Sequence, residues 1–257
     1  LLTLCGFANS SESDELPNAA VKHFETLNAG HLRPYENAFV VTVYKDGKSQ
    51  SPGIWTDRLS FRTVDNRSVA VRTQSMGYFD GRANVSVNVF DRNSFEPISD
   101  TQFHPDGSKE HWTFDDKAAI GVLTDSSGTE KRKEFYRDHK SFDLNCCMYS
   151  LLPAAAPLSA GLVFDVPGME GASGPSDVKF RVLNREIVHA GTLGNVMAWL
   201  VETDSQGGYI HFWIADDPPY LVRMTLSTND TKDYSQSFDM IEPGPTRQPP
   251  NVPPPKK

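Results

Sequence analysis

The chain has 257 residues, 38% of them hydrophobic and 23% charged, with 18 glycines and 18 prolines. That supplies enough apolar side chain for a sizeable core, and an all-β domain of this length needs no division into two. A net charge of -8 without any basic run argues against nucleic acid as a partner, because a phosphate backbone demands a concentrated Lys/Arg surface. No stretch approaches the ~20 consecutive apolar residues that cross a bilayer as a helix, so no transmembrane segment is expected.

The opening "LLTLCGFANSSES" reads as the end of a hydrophobic export signal, with a small-residue cleavage region near Gly6 to Ala8. A periplasmic or secreted location in the bacterial cell envelope follows as the expectation. Cys5 raises the alternative of a lipid-modified cysteine, although Leu4 stands where bacterial lipoprotein signals want a small residue. Residues 1–31 are read as residual export signal and polar lead-in, in which "LPNAAVKHFETLN" (Leu16 to Asn28) suggests a short helix ended by Asn28, Gly30 and Pro34. The main domain is placed at residues 32–242, and "PGPTRQPPNVPPPKK" gives a proline-rich tail over 243–257 that is expected to stay extended or disordered. Sequons at Asn66, Asn84 and Asn229 matter only in a glycosylating host.

From Ala38 the hydrophobic period becomes two. "AFVVTVYKDGKSQSPGIW" predicts a hairpin about Asp46-Gly47, and "RLSFRTVDNRSVAVRTQSM" a second one about Asp65-Asn66, with Val69 and Val71 on the face opposite Ala70 and Arg72. In the next segment Val85, Val87 and Val89 share a face, and turns are expected at Asp91 to Ser94 and at Asp106-Gly107, which makes an antiparallel meander. Neither a Gly-rich phosphate loop nor alternation of strands with long helices is present, so nucleotide-binding α/β folds are set aside.

"SFDLNCCMYSLLPAAAPL" breaks the rhythm. Leu144, Cys147, Met148, Leu151 and Leu152 recur at the spacing of one buried helical face, Ser141 or Asp143 can cap its start, and Pro153 and Pro157 limit it, so a helix is predicted over 144–152. The adjacent Cys146 and Cys147 are poorly placed to bridge each other, and the buried thiol is read as a small hydrophobe. Strands follow at Val178 to Val188, Val196 to Thr203, Tyr209 to Ala215 and Tyr220 to Thr228, the last one leading into a polar segment.

The hairpin series, the helix followed by "APLSAGLVFDV", then "VKFRVLNREIVHAGTLGNVMAWLVET" and "YIHFWIADDPPYLVRMTL" occur in an order that resembles an uncharacterised family of exported bacterial proteins. That family is similar in architecture to the periplasmic lipoprotein carriers of the outer-membrane localisation system. The resemblance covers roughly residues 32 to 240 and is most specific from Leu151 to Leu226. It implies a mainly β fold: a strongly curved antiparallel sheet, an incomplete β-barrel, with one helix packed in its open side. It transfers no catalytic motif. Because the carriers hold acyl chains in an apolar cavity, it implies a hydrophobic-ligand role, while an enzyme of similar architecture shows that the fold also hosts catalysis.

Within "GGYIHFWIADDPPYLVRM", Tyr209, His211 and Trp213 fall on one strand face and Ile210, Phe212 and Ile214 on the other, with Asp216-Asp217-Pro218-Pro219 as turn chemistry. His211 is therefore read as making a local hydrogen bond rather than acting as a base. His104 and His111 flank the Pro105 to Ser108 turn and are read as sharing a sheet face, a weak candidate pair for a metal that lacks further ligands unless His139, His189 or a carboxylate joins. Neither a Gly-x-Ser-x-Gly elbow nor a His-Glu-x-x-His motif is present, and no cofactor is expected.

The expected function is an exported, non-catalytic protein that binds an apolar or amphipathic, lipid-like ligand, or a cell-envelope partner, between sheet and helix. Trp199, Tyr209, His211, Trp213, Met148 and Leu151 are the expected ligand contacts. The alternatives are a small-molecule enzyme in the same cavity and a structural envelope component; a pocket with convergent polar groups favours the enzyme, an apolar one the binder, a filled interior the structural role.

Overall fold

The structure, a computed structural model, describes residues 21–24, 27–136, 141–205, 208–228 and 234–243, with the backbone alone at 145–147, 205, 242 and 243. The proline-rich tail from residue 244, the export-signal segment, His139 and Asn229 lie outside the described residues.

The fold is mainly β. After a two-residue strand β1 (Lys22–His23), a meander is formed by β2 (Tyr35–Lys45), β3 (Lys48–Val64), β4 (Arg67–Tyr78), β5 (Ala83–Asp91), β6 (Pro97–Phe103), β7 (Lys109–Phe114), β8 (Ala118–Thr124) and β9 (Glu130–Tyr136). Beyond a crossing segment that contains β10 (Phe142–Asp143), a second meander is formed by β11 (Val163–Glu170), β12 (Gly174–His189), β13 (Asn195–Ser205), β14 (Gly208–Ala215), β15 (Leu221–Thr228) and β16 (Tyr234–Pro243). All belong to one sheet with the order β1-β11-β12-β13-β14-β15-β16-β2-β3-β4-β5-β6-β7-β8-β9, and β10 pairs with β11 off this path. Pairing is antiparallel except that β1 and β10 run parallel to β11.

The two hairpins read from Asp-Gly and Asp-Asn form as predicted. Asp46 and Gly47 (φ 51° and 71°) and Asp65 and Asn66 (φ 48° and 61°) take the left-handed conformations that a two-residue hairpin loop requires at both positions. Of the expected helix, Lys22–His23 is instead strand β1 and residues 21, 24, 27 and 28 are not helical, while residues 16–20, 25 and 26 lie outside the described residues.

β16 is a strand that the sequence reading does not anticipate, because Phe238, Met240 and Ile241 are its few aliphatic or phenyl side chains in a polar stretch. The alternation of Phe238 and Met240 with Tyr234 and Gln236 against Ser235, Ser237 and Asp239 is nevertheless period two, and Gln236, Phe238 and Met240 are buried. β16 pairs with β15 on one side and β2 on the other, which joins the two meanders into one sheet.

The sheet is open. Among the described residues no ladder joins β9 to the opposite edge, yet the ends meet through side chains. Lys133 on β9 donates to the Ala172 carbonyl at 3.0 Å, and Trp112, Ala119 and Met169 form a small cluster with Phe135 and Ala172. Gly121 is needed there, since a Cβ would lie 2.6 Å from the Trp112 ring. A sheet whose ends touch must curl, and residues 141–156 fill the curl.

This plug is the expected helix in tighter form: a 3-10 helix at Asn145–Ser150 and a further 3-10 turn at Pro153–Ala155. Pro153 lacks the N–H for a continuing α-helix, and no side chain caps the start. Asp143, an expected cap, instead accepts from Asn88 at 2.7 Å. Leu144, Met148, Leu151 and Leu152 are fully buried in the same apolar cluster as Phe164, Phe180, Val182 and Phe212, each worth about 1.5 to 3 kcal/mol in burial.

Candidate functional site

The interior has two unlike walls. On β11 to β15 it is apolar, with Phe164 and Phe180 stacked at 5.1 Å and Val182, Val201, Phe212 and Met224 beside them. On β2 to β7 an apolar lining that includes Phe39, Trp55 and Phe90 is crossed by rows of polar side chains. One register row runs Asn37, Asp57, Gln74, Ser86, Gln102 and Glu110, a residue per strand, and the next runs Leu59, Arg72, Asn88, Asp100 and Trp112.

The polar wall is built around a buried ion pair. Arg72 donates from Nε to Asp57 Oδ1 at 2.8 Å and from a terminal nitrogen to Asp57 Oδ2 at 2.7 Å, and that nitrogen also reaches Ser150 Oγ of the plug at 2.8 Å. Tyr35 donates its hydroxyl to Asp57 at 3.1 Å, and burial holds the Tyr35 hydroxyl well above its usual pKa. Asn88 donates to both Asp100 (3.2 Å) and Asp143, and Gln102 donates to Asp100 at 3.1 Å. At the outer end of this wall, Glu110 raises the pKa of His104 through their hydrogen bond, and His104 lowers that of Glu110.

Where the plug ends against the apolar wall there is a cleft of about 150 Å³, lined by His31, Ala154, Ala156, Leu158, Trp199, Ile214, Ala215 and Asp216. A cavity of roughly this volume accommodates a benzene-sized group. β13 and β14 place Trp199 directly opposite Ile214, which points both at the plug. His31 donates from Nε2 to the Ala154 carbonyl at 2.9 Å and so pins one lip. On the other, Arg185 lies 5.2 Å over the Trp199 ring and pairs with Asp216, while Arg33 pairs with Asp217. Six of the eight lining residues have apolar side chains, yet polar atoms make up most of the surface open to the cleft, and the rim is charged.

Of the residues expected at a ligand site, Trp199 lines this cleft, and Met148 and Leu151 lie deeper in the plug at 1% exposure. Tyr209, His211 and Trp213 occupy the opposite face of β14 from Ile210, Phe212 and Ile214, so the structure does not bring the six together. His211 donates to Glu202 directly across β13 at 2.9 Å. Trp213 donates to Glu186 at 2.6 Å and lies under the Arg223 guanidinium at 5.1 Å.

His104 and His111 do not share a face. Phe103 pairs with Lys109, so the turn is one residue longer than a register placing the two together. His104 faces Glu110, whereas His111 bonds Thr101 at 2.8 Å. Among the described residues no group of three or more His, Cys, Asp or Glu is placed to hold a metal. The side chains of Cys146 and Cys147 lie outside what is described.

His31, Arg185 and Asp216 are site residues that the sequence reading missed, because they come from three distant segments. The polar wall had a signal, the carboxamides and serine that alternate with valines in "NVSVNVF", but alternation does not say which side faces inward.

Together these features define an open, curled antiparallel sheet with an internal helical plug and a small cleft between the two. Residues 32–234 match the family model described as Protein of unknown function (DUF3108), and the chain belongs to that family. The match spans both walls, the plug and all but His31 of the cleft lining. No curated protein matches the chain.

Proposed function

We propose that this chain is an exported, non-catalytic binding protein of the bacterial cell envelope that takes the apolar end of an amphipathic ligand between sheet and plug, as a periplasmic lipoprotein carrier does. The observation that carries this reading is the cleft itself: Trp199, Ile214, Ala215, Ala154, Ala156 and Leu158 form its floor, with His31, Asp216 and Arg185 at its mouth. Apolar side chains at the cleft take alkyl or ring carbon out of water, and the polar atoms that dominate its open surface keep a polar head hydrated. The compartment rests on the reading of residues 1–13 as the end of an export signal.

Burying about five methylenes at ~0.8 kcal/mol each gives ~4 kcal/mol, a Kd near ~1 mM for a simple alkyl carboxylate. Trp55, Trp112 and Trp213 are buried, so Trp199 is the tryptophan that a cleft ligand reaches. Decanoate titrated into the full chain is expected to change Trp emission saturably, and Ala156→Phe, which fills the cleft, is expected to abolish the change. A wild-type emission that stays flat to several times that concentration (~5 mM), or a response unchanged in Ala156→Phe, rejects the proposal.

A further inference from the structure

An exposed apolar strip continues from the cleft along the ribbon of β12 and β13. These strands pair in unbroken register from Asn184 and Leu200 to His189 and Asn195, so alternate side chains share one face in successive rows. Arg185 stands beside Trp199 in the first row, Ile187 beside Met197 in the second, and His189 beside Asn195 in the third. The ladder from β13 to β14 ends at Ala198 and Ala215, which leaves the second row just past the mouth of the cleft, about 7 Å along the strand from Trp199.

Ile187 is 64% exposed and Met197 is 45% exposed. The ribbon that carries them is nevertheless braced. Its opposite face is packed, with Val188, Ala190 and Ala198 buried, and at its tip Gly191 lies so close to β16 that a Cβ would stand 2.2 Å from the Ile241 carbonyl oxygen. Two large apolar side chains held side by side facing water, continuous with the Trp199 row, make the kind of patch that marks a binding surface.

The occupant follows from the length of the cleft, and here the argument rests on the reading of that cleft as a site for an alkyl chain. About five methylenes fill it, so a longer chain has to leave by the mouth, where Met197 is the next side chain on the face of Trp199. The Arg185–Asp216 pair at this mouth is a surface pair, which a passing chain displaces at little cost. An extended chain advances about 1.2 Å per bond, so about six to eight further carbons cross the Ile187 and Met197 row and carry the head group to His189 and Asn195. Both of those residues are exposed and polar, which suits a hydrated head. We infer that the Ile187 and Met197 row extends the cleft into a binding surface for a free single-chain amphiphile of about twelve to fourteen carbons, with His189 and Asn195 beside its head.

The test titrates the full chain with hexanoate, whose chain fills the cleft alone, and with tetradecanoate below its micelle concentration, read by calorimetry. Full burial of a methylene gives about fourfold in affinity and a surface that covers the chain from one side about twofold, so tetradecanoate is expected to bind at least ~100-fold more tightly than hexanoate. The double variant Ile187→Ser/Met197→Ser is expected to cut that ratio below ~10-fold while leaving hexanoate within about twofold. Should the double variant fail to fold, Met197→Ser alone is expected to lower the ratio at least ~3-fold. Phe79→Ser, at an exposed phenylalanine outside this ribbon, leaves the ratio unchanged. Hexanoate that binds with a wild-type ratio below ~10-fold, or a ratio that the serine variants do not lower, overturns this inference alone. Hexanoate that fails to bind, or binds equally well to Ala156→Phe, overturns the reading of the cleft and this inference with it.

Discussion

Arg72→Met removes the centre of the polar wall, and its cost is set by what it leaves behind. Arg72 and Asp57 have 0% exposed side chains and two hydrogen bonds between them, so deleting the guanidinium strands a buried carboxylate beside the Tyr35 hydroxyl that donates to it. Breaking a buried pair from one side costs about 3 to 5 kcal/mol, against a total stability for a domain of about 5 to 15 kcal/mol. Loss of the bond to Ser150 adds about 1 kcal/mol by freeing the plug. Removing both charges reverses most of this, because neither then suffers desolvation. Arg72→Met/Asp57→Leu is expected within about 2 kcal/mol of wild type, a coupling of at least ~2 kcal/mol in the double-mutant cycle. Urea unfolding followed by Trp emission, with linear extrapolation for all four proteins, reads these values. An Arg72→Met loss below about 1 kcal/mol, or a double variant that loses the sum of the two singles, refutes the reasoning.

Three further outcomes are expected. Leu151→Ala, at a fully buried plug position, should cost ~2 to 5 kcal/mol in a reversible melt, and a loss under ~1 kcal/mol would show that the plug is not core. Burial pushes the Glu170 carboxyl from its ordinary 4.5 up to about 7. Because its folded pKa is raised, the stability it contributes is fully present below pH 4.5 and is lost as pH rises through about 7, up to about 3 kcal/mol in all. Glu170→Gln should therefore be the more stable protein at pH 8 and should flatten the urea-midpoint profile between pH 4.5 and 7, and parallel profiles would contradict this. His211→Gln retains a donor toward Glu202 on the face of β14 away from the cleft, so stability should change by less than about 1 kcal/mol and the decanoate Kd by less than about threefold. A larger loss of binding in folded His211→Gln would place the ligand on the other face.

Local chemistry was legible in the sequence where it acts over a few residues. Asp46-Gly47 and Asp65-Asn66 fix their hairpins through backbone conformations that few other residues adopt, and the apolar spacing of Leu144, Met148 and Leu151 marks a buried turn. The side of a strand that faces inward was not legible. Val71, Val85, Val87 and Val89 are half-buried on the outer face, while Arg72, Ser86 and Asn88 point inward, since period two gives alternation without direction. A two-residue loop would put His104 and His111 on one face, and a single further residue of turn separates them. The cleft was unreadable for a different reason: His31, Ala154, Trp199 and Asp216 become neighbours only because β16 splices the meanders and the plug crosses the curl.

The central claim is that an apolar group enters between plug and sheet at Trp199. Photolabelling of the full chain with a decanoic acid that carries a terminal diazirine, followed by peptide mapping, tests it most directly. Label is predicted on Ala154 to Leu158 and on the strand segments around Trp199 and Ile214, in competition with unlabelled decanoate and lost in Ala156→Phe. Label confined to the face bearing Tyr209, His211 and Trp213, or label that excess decanoate does not displace, would contradict it.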